Sequence, residues 1–298
     1  MPRVISFEQA PQRLSLAEVT DRLARRGFDP ADEGSLLAAA ADLRALGEDR
    51  TFLGDLLIDN LTHNFRADAA FNYGPQVIML AQPGRDCFLR ANIWPSAADE
   101  VVRASGGGIF AFDMPHDHNF DFLTLGYFGP GYWSDYYEYD YAQVAGWRGE
   151  PVDLRFIERA QLSENKVMLY RAHLDVHVQH PADALSVSIN VMHMAPHQNW
   201  FDQYGFDVAT RTVSSLITQG ASEIALRLAC ALEMEEGQAL ARAFGRSHAS
   251  DRMRLAAWEA LALAAPDAPA RDGVWAEAER CGSRLVAMEA KARRLVLA

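Results

Sequence analysis

The chain has 298 residues, of which 49% are hydrophobic, and it carries a formal net charge of −12 at pH 7. This composition is that of a globular protein with a sizeable core. The acidic balance argues against a nucleic-acid binder, which needs clustered Lys and Arg to neutralise phosphates, and against a protein that binds an anionic membrane surface. Three cysteines, Cys87, Cys230 and Cys281, are too few for a disulfide framework or a four-thiolate zinc site, so we expect a reducing compartment.

The N-terminal residues contain no apolar stretch of signal-peptide length, because Glu8 falls where such a stretch would begin. No window further along the chain approaches the roughly 20 uninterrupted apolar residues of a membrane helix. We therefore expect a cytoplasmic protein without a membrane partner.

Residues 14–64 have the leucine spacing of amphipathic helices. Ser15 and Glu18 have the spacing of a capping box, which predicts that the first helix begins there. Helical periodicity returns after about residue 210, and the stretch between Pro266 and Pro269 separates two of the later helices. Two helical segments, 1–66 and 210–298, are therefore predicted on either side of a region of different character.

That central region, 67–209, consists of short runs rich in Val, Ile, Tyr and Phe with Gly, Pro, Asp and Asn between them, which is typical of strands. Strands are predicted at 76–81, 87–93, 108–112, 116–127, 132–141, 152–159, 166–170, 174–179 and 184–192. So many strands without intervening helices predict a sandwich or barrel, and the fold class is α+β. We expect the flanking helices to cover the barrel mouth, to dock a larger substrate such as a peptide or, by default, to form a homodimer.

The candidate chemistry lies in the motif His116-Asp117-His118. On a strand, residues two apart project to the same face, so both imidazoles can reach one metal ion while Asp117 points away. The same alternation predicts Phe122 inside, lining the site together with Phe120 and Thr124. It predicts Leu123 outside, together with Asn119, Asp121 and Leu125.

The motif and a second histidine-bearing strand resemble the cupin superfamily, whose first motif is a His-x-His pair and whose second motif supplies another His shortly before a turn. The resemblance covers roughly residues 70–200 and implies a jelly-roll β-barrel. The pattern is most similar to thiol dioxygenases of the cysteine dioxygenase kind, which implies His177 as the third ligand. The usual cupin glutamate would fall near Phe122 or Leu123, so the resemblance implies a three-histidine site. Leu123 also stands where some members carry a cysteine cross-linked to tyrosine.

Several alternatives stay open for the metal ligands. His173 shares strand parity with His177 and competes for the third position, whereas His180 has the opposite parity. If one ligand is a carboxylate, Glu138 is the first candidate and Asp175 the second. His193 and His197 are four apart and either form a second site or bind nothing.

Two further side chains are candidate catalytic residues. Arg90 alternates with Phe88 and Asn92, and it either clamps a substrate carboxylate inside the barrel or faces outward. Tyr137, in a tyrosine-rich run with Tyr136 and Tyr139, is a candidate hydroxyl donor near the metal. Cys87 has no histidine near it in sequence and is expected to be a small buried residue.

Three functions follow from these patterns. The first is a non-haem Fe(II) oxygenase that uses dioxygen and a small-molecule, amino-acid-like or peptide substrate. The second is an isomerase, lyase or hydrolase that uses Zn, Mn or Ni as a Lewis acid. The third is a cupin-like ligand-binding or assembly protein without catalysis. The motifs of nucleotide-binding enzymes and of serine hydrolases are missing from the sequence.

Overall fold

The structure is a computed structural model that describes residues 2–64, 76–218 and 220–297. These residues form two compact units. The first unit comprises the residues up to Tyr139 together with Leu154–Gln198, and the second comprises Asp140–Asp153 together with the residues from Asn199 onward. The predicted boundary between 66 and 67 lies outside the described residues.

The first unit begins with the helices that the sequence predicted between residues 14 and 64. They are α1 (Leu16–Arg26), α2 (Glu33–Gly47) and α3 (Phe52–Asp59), which is followed by a π-helical turn (Asn60–Asn64). The predicted capping box is confirmed. The Ser15 hydroxyl accepts a hydrogen bond from the Glu18 N–H (3.3 Å), and the Ser15 N–H donates to the Glu18 carboxylate (2.8 Å). A short helix that was not predicted, α4 (Glu100–Ser105), comes later.

The strands of the first unit form two antiparallel sheets. They are β1 (Arg3–Ile5), β2 (Val77–Ala81), β3 (Cys87–Trp94), β4 (Phe122–Phe128), β5 (Tyr132–Glu138), β6 (Arg155–Leu162), β7 (Val167–Tyr170), β8 (Asp175–Gln179) and β9 (Ser186–His193). One sheet has six strands in the order β1-β7-β4-β9-β3-β2, and the other has three in the order β6-β5-β8. This mixed α and antiparallel β arrangement is consistent with a cupin-like fold.

The two sheets pack face to face around an aromatic core. Trp94 of the large sheet lies against Tyr132 of the small sheet, with ring centroids 4.5 Å apart. Tyr136 and Tyr170 likewise meet between the sheets and share a hydrogen bond of 2.9 Å. Every one of these rings is buried, so the space between the sheets is largely closed to solvent.

The other face of the large sheet is covered by α1 and α2. Leu89, Leu123, Leu125 and Val191 are fully buried there against the leucines of the two helices. Leu123 and Leu125 do face away from the interior, as predicted, but they form a second core instead of a solvent-exposed face. The first unit is therefore a three-layer structure of helices, large sheet and small sheet.

Some strand predictions are wrong in ways that affect the site. Residues 108–112 form a 3₁₀ turn (Gly107–Phe110), because Gly106 and Ala111 have φ values of 80° and 56° that a strand does not allow. The strand predicted from residue 116 begins only at Phe122. The strands predicted at 132–141 and 152–159 are shifted to the bounds of β5 and β6 given above.

The second unit consists of one strand pair and five helices within its described residues. They are β10 (Tyr204–Asp207), β11 (Thr212–Leu216), α5 (Ala221–Ala231), α6 (Glu235–Ser247), α7 (Asp251–Leu263), α8 (Ala268–Ala278) and α9 (Arg284–Leu297). Their core surrounds the buried Trp258, whose indole N–H donates to the Gly245 carbonyl (2.9 Å). Within the described ranges of the whole chain, no helix combines the length and the apolar character that crossing a membrane requires.

Candidate metal centre

The structure brings together His116, His118 and His177 between the two sheets of the first unit. The His177 Nε2 lies 3.1 Å from the Nε2 of His118 and 3.1 Å from the Nε2 of His116. One ring nitrogen of each residue lies within 4.8 Å of the other two, and all three side chains are buried. Three imidazole nitrogens therefore converge on one point.

Backbone hydrogen bonds between the motif segment and the β8 region hold the three histidines in this arrangement. The His116 N–H donates to the His177 carbonyl (3.1 Å), and the His177 N–H donates to the His116 carbonyl (3.0 Å). The His118 carbonyl in turn accepts from the His173 N–H (2.9 Å). The segment before β4 thus lies along the edge of β8 and is joined to it by an antiparallel bridge between His116 and His177. It gives His116 and His118 the shared direction that the two-residue spacing predicted.

One histidine tautomer follows from its hydrogen bond. The His116 Nδ1 lies 2.8 Å from the Met114 carbonyl, which can only accept, so Nδ1 carries the proton. The Nε2 of His116 then presents a lone pair to the other two rings. The Nδ1 atoms of His118 and His177 are buried and have no hydrogen-bond partner among the described residues.

Burial lowers the pKa of all three histidines. For His118 the pKa is held well below its ordinary value, first by burial and then by electrostatic interactions with His116, His177 and Arg90 that disfavour a second positive charge there. The pKa of His177 is also well below its ordinary value, by burial and by His116. The pKa of His116 is lowered by burial, against the opposing effect of its bond to Met114. The rings are therefore neutral at neutral pH, as metal ligation requires.

The donor set fits one divalent metal ion. Two imidazoles about 2.1 Å from a common ion place their nitrogens 3.1 Å apart when the angle at the ion is about 95°. Three neutral nitrogens suit iron, zinc, manganese and nickel alike, so they leave the identity of the metal open.

Aromatic rings surround one side of the cluster. The His118 ring contacts Phe120 and Phe122, with centroids 4.9 Å and 5.0 Å away. Phe122 stacks on Tyr170 at 4.5 Å. These side chains exclude water from the histidines on that side.

A cavity of about 150 Å³ adjoins the cluster. Its opposite wall is the inner face of β3 and β9, where Arg90 and Asn92 alternate inward as the sequence allowed. Asn190 is paired in register with Arg90, and its amide donates to the Asn92 side-chain oxygen (3.3 Å). Ser188 accepts a hydrogen bond from the Trp94 indole (3.0 Å). The cavity thus has a metal-ligand wall and a wall of polar side chains.

The alternative ligands lie outside the cluster. His173 is at a turn with φ 60°, and Glu138 pairs with Arg155 (2.5 Å) and Arg171 (2.9 Å). Asp175 is fully buried but accepts hydrogen bonds from the backbone and side chain of Arg171. Both carboxylates are therefore engaged by arginines.

Tyr137 does not face the cavity, which corrects the prediction made for it. Tyr136 and Tyr137 alternate on β5, and it is Tyr136 that points inward. Tyr137 is half-buried on the opposite face and packs against Phe156 (5.3 Å). The tyrosine of β5 that lines the cavity is Tyr132, whose pKa is raised by burial.

Several cavity residues were missed by sequence reasoning. Ser188 and Asn190 share one face of β9 by strand alternation, but the sequence does not show that this face turns toward the cavity, and Tyr132 was part of a predicted strand without being singled out. Tyr170 is the last residue of β7, and no sequence motif marks it as a cavity residue.

The remaining candidates lie elsewhere in the first unit. His180 contacts Asp113 (3.2 Å) and Asp135 (3.0 Å). The His193 ring lies edge-on to Phe28 (6.0 Å), and the described residues contain no metal-ligand cluster that includes it. Burial raises the pKa of the Cys87 thiol to about 12, so this cysteine is an inert core residue.

No family model matches the chain, and no curated protein matches it. Among solved structures, the chain is similar to one from crystal structures of the DMSP lyases RdDddP and RnDddQII. The sequence identity is 11% and the TM-score is 0.28, over 65% of this chain and 80% of that chain. At this TM-score the likeness carries no argument about fold or activity.

Proposed function

We propose that the protein is a non-haem iron oxygenase that acts on a small carboxylate. The observation that carries this proposal is the convergence of the Nε2 atoms of His116, His118 and His177 beside a cavity of about 150 Å³. A divalent iron held by three neutral nitrogens would keep its charge and open positions for a substrate and dioxygen. The aromatic side of the site would protect that chemistry from water.

The cavity wall supports a small anionic substrate. Arg90 lies on that wall, close enough for its charge to lower the pKa of His118, and a guanidinium is suited to bind a carboxylate through two hydrogen bonds. The Oδ1 of Asn190 is buried without a hydrogen-bond partner among the described residues, so it can accept from a substrate N–H or O–H. A volume of about 150 Å³ holds a molecule of roughly six to eight non-hydrogen atoms.

A second candidate is a lyase or isomerase that uses the same three histidines to hold a Lewis-acidic ion. The observation that favours it is the presence of Tyr132 on the cavity wall. Its pKa is raised by burial, so the phenol stays protonated and could donate a hydrogen bond to a substrate oxygen that gains negative charge. The same metal ligands serve both reactions, and dioxygen dependence separates them.

The test is a metal and turnover comparison on the full chain. The protein is purified without added metal, analysed for metal content and reconstituted separately with Fe²⁺ and Zn²⁺. A panel of two- to four-carbon carboxylates bearing a thiol, amine or hydroxyl group is then followed by oxygen electrode and by NMR. His116→Ala is the site variant, and His180→Ala, which removes a histidine outside the cluster, is the control.

Substrate-dependent oxygen uptake that needs Fe²⁺ and is lost in His116→Ala would support the oxygenase. Anaerobic product formation with Zn²⁺ would support the lyase or isomerase instead. Failure of the parent protein to bind either metal more tightly than His116→Ala would exclude both.

A further inference from the structure

The second unit contains a groove of about 320 Å³ that the metal centre does not explain. One side of the groove is β11, through Ser214, Ser215 and Leu216. Side chains of α5, α7 and α9 form the other side. A strand therefore forms one wall of a groove whose other walls are helical.

The outer edge of β11 is paired along only part of its length. The Val213 N–H donates to the Glu150 carbonyl (2.9 Å), and the Val213 carbonyl accepts from the Gly149 N–H (2.8 Å). At Gly149 the chain turns away, and the Glu150 N–H closes the turn onto the Trp147 carbonyl (3.0 Å). Beyond Val213, no third strand among the described residues pairs with β11. The open part of the edge is the part that lines the groove.

An open strand edge inside a groove is a template for an added strand. The helical side of the groove combines paired charged side chains with apolar ones, among them the buried Leu285, Leu255, and Ile224, which is 61% exposed. Pockets for apolar side chains beside a free edge are the features by which domains bind extended peptides.

The charged groups of the groove are paired, with one exception. Arg227 binds Glu259 (2.6 Å), and the buried Arg252 binds Asp202 (2.8 Å) and Glu223 (2.6 Å). The Arg148 side chain lines the groove, is exposed, and has no ion pair among the described residues. Arg148 immediately precedes Gly149, so it stands where the paired part of the edge ends.

We propose that this groove binds the C-terminal segment of an extended peptide as a strand antiparallel to β11, with the terminal carboxylate at Arg148. The direction follows from the existing pairing, because the segment that contains Pro151 runs antiparallel to Thr212. A peptide that extends this antiparallel pairing along β11 has its N-terminal end beside Leu216 and its C-terminal end at the turn that carries Arg148. Its backbone pairs with the open edge, and its charged end meets Arg148, the guanidinium of the groove that has no ion pair among the described residues.

The test uses two libraries of N-acetylated hexapeptides that differ only in ending as a free carboxylate or as an amide. Each library is passed over the immobilised full-length protein, and the retained peptides are identified by mass spectrometry. The best peptide is resynthesised with a fluorophore for polarisation measurements. Arg148→Gln is the site variant, and Arg280→Gln, an exposed arginine without an ion pair among the described residues, is the matched control.

We expect retention from the carboxylate library, at least tenfold weaker binding of the amidated peptide, and a similar loss in Arg148→Gln but not in Arg280→Gln. Hydrogen exchange should slow at residues 214–216 when the peptide is bound. No retention from either library would overturn the proposal. So would equal binding of acid and amide, or binding by Arg148→Gln at the parent affinity.

Discussion

At the scale of single residues, burial of the candidate ligands makes the free energy of unfolding depend on pH, because the fold holds their imidazoles in the neutral state. His118 and His177 have folded-state pKa values well below the unfolded value of about 6.5. As the pH falls below 6.5, the unfolded chain therefore binds protons before the folded chain does. Stability is fully present above that pH and is lost below it.

We expect metal-free protein to lose about 2–3 kcal/mol of stability between pH 7.5 and pH 5.5 from these two histidines. The measurement is urea denaturation after chelation at both pH values. The double variant His118→Asn, His177→Asn should show a smaller pH dependence, because its residues do not titrate. An unchanged pH dependence in that variant would show that the two imidazoles are not held neutral by the fold.

Asp117 illustrates a buried carboxyl group with a short hydrogen bond to a tyrosine. It lies between the two histidines of the motif, is fully buried, and accepts a hydrogen bond of 2.5 Å from the Tyr139 hydroxyl. Tyr139→Phe should destabilise the protein by about 1–3 kcal/mol, because a buried carboxylate loses a donor. Chemical denaturation measures the loss. The control is Tyr137→Phe, since Tyr137 is half-buried on the outer face of β5 and should tolerate the change within about 0.5 kcal/mol. Equal effects of the two variants would contradict this role.

The sequence predicted which histidines form the cluster, but not which side chains form the opposite wall of the cavity. His116 and His118 follow from the spacing of two residues, and His177 from the resemblance to the cupin second motif. Asn190 could not be predicted to face the cavity, because that depends on its register with Arg90, which is set by strands about 100 residues apart. Tyr137 was predicted instead of the inward Tyr136 because the alternation of inward and outward side chains depends on where β5 starts. That start is not visible in a tyrosine-rich run.

At the scale of elements, close packing of α2 on the large sheet depends on a glycine. A Cβ added at Gly47 would lie 2.7 Å from the Leu125 Cδ2, and Leu125 is fully buried and cannot move aside. By contrast, a Cβ at Gly54 in α3 would meet nothing within 4 Å. The two glycines are both helical but differ in their surroundings.

Gly47→Ala should therefore destabilise the protein by about 1–3 kcal/mol through overpacking. Gly54→Ala should be neutral or stabilising by up to about 1 kcal/mol, because alanine is the better helix former. Thermal and urea denaturation of both variants measure the difference. Stabilisation by both substitutions would mean that α2 does not pack on β4 as closely as the structure has it.

Helices and strands were predicted correctly where a local sequence pattern determines them, and incorrectly where tertiary packing determines them. The capping box at Ser15 is local and was read correctly. Residues 108–112 look like a strand because of Ile109, Phe110 and Phe112, yet they form a turn that places the two phenylalanine rings 5.8 Å apart in the aromatic core. The small strand β11 was missed because the helical pattern of the following residues was extended back to 210, and β10 (Tyr204–Asp207) was missed because no strand was predicted between 192 and 210.

At the scale of the whole molecule, the candidate metal centre exists only in the folded chain. His118 and His177 are 59 positions apart, and they meet because the segment before β4 pairs with β8. An unfolded chain does not hold three imidazoles at one point, so a metal ion should bind the native state preferentially. Ligand binding to the native state alone stabilises it by about 2.7 kcal/mol at a ligand concentration of 100 times Kd.

Metal addition should consequently raise the melting temperature of the chelated protein by about 5–10 °C at that concentration, given about 2–4 °C per kcal/mol for a protein of this size. The effect also decides between the two candidates for the third ligand. His177→Ala should abolish most of the shift, whereas His173→Ala should retain it, because only His177 has its Nε2 within 3.1 Å of the other two rings. Differential scanning calorimetry with Zn²⁺ or Co²⁺ measures the shift. The reverse order, with the shift lost in His173→Ala and kept in His177→Ala, would require the turn at His173 to rearrange and would place the ion outside the cluster described above.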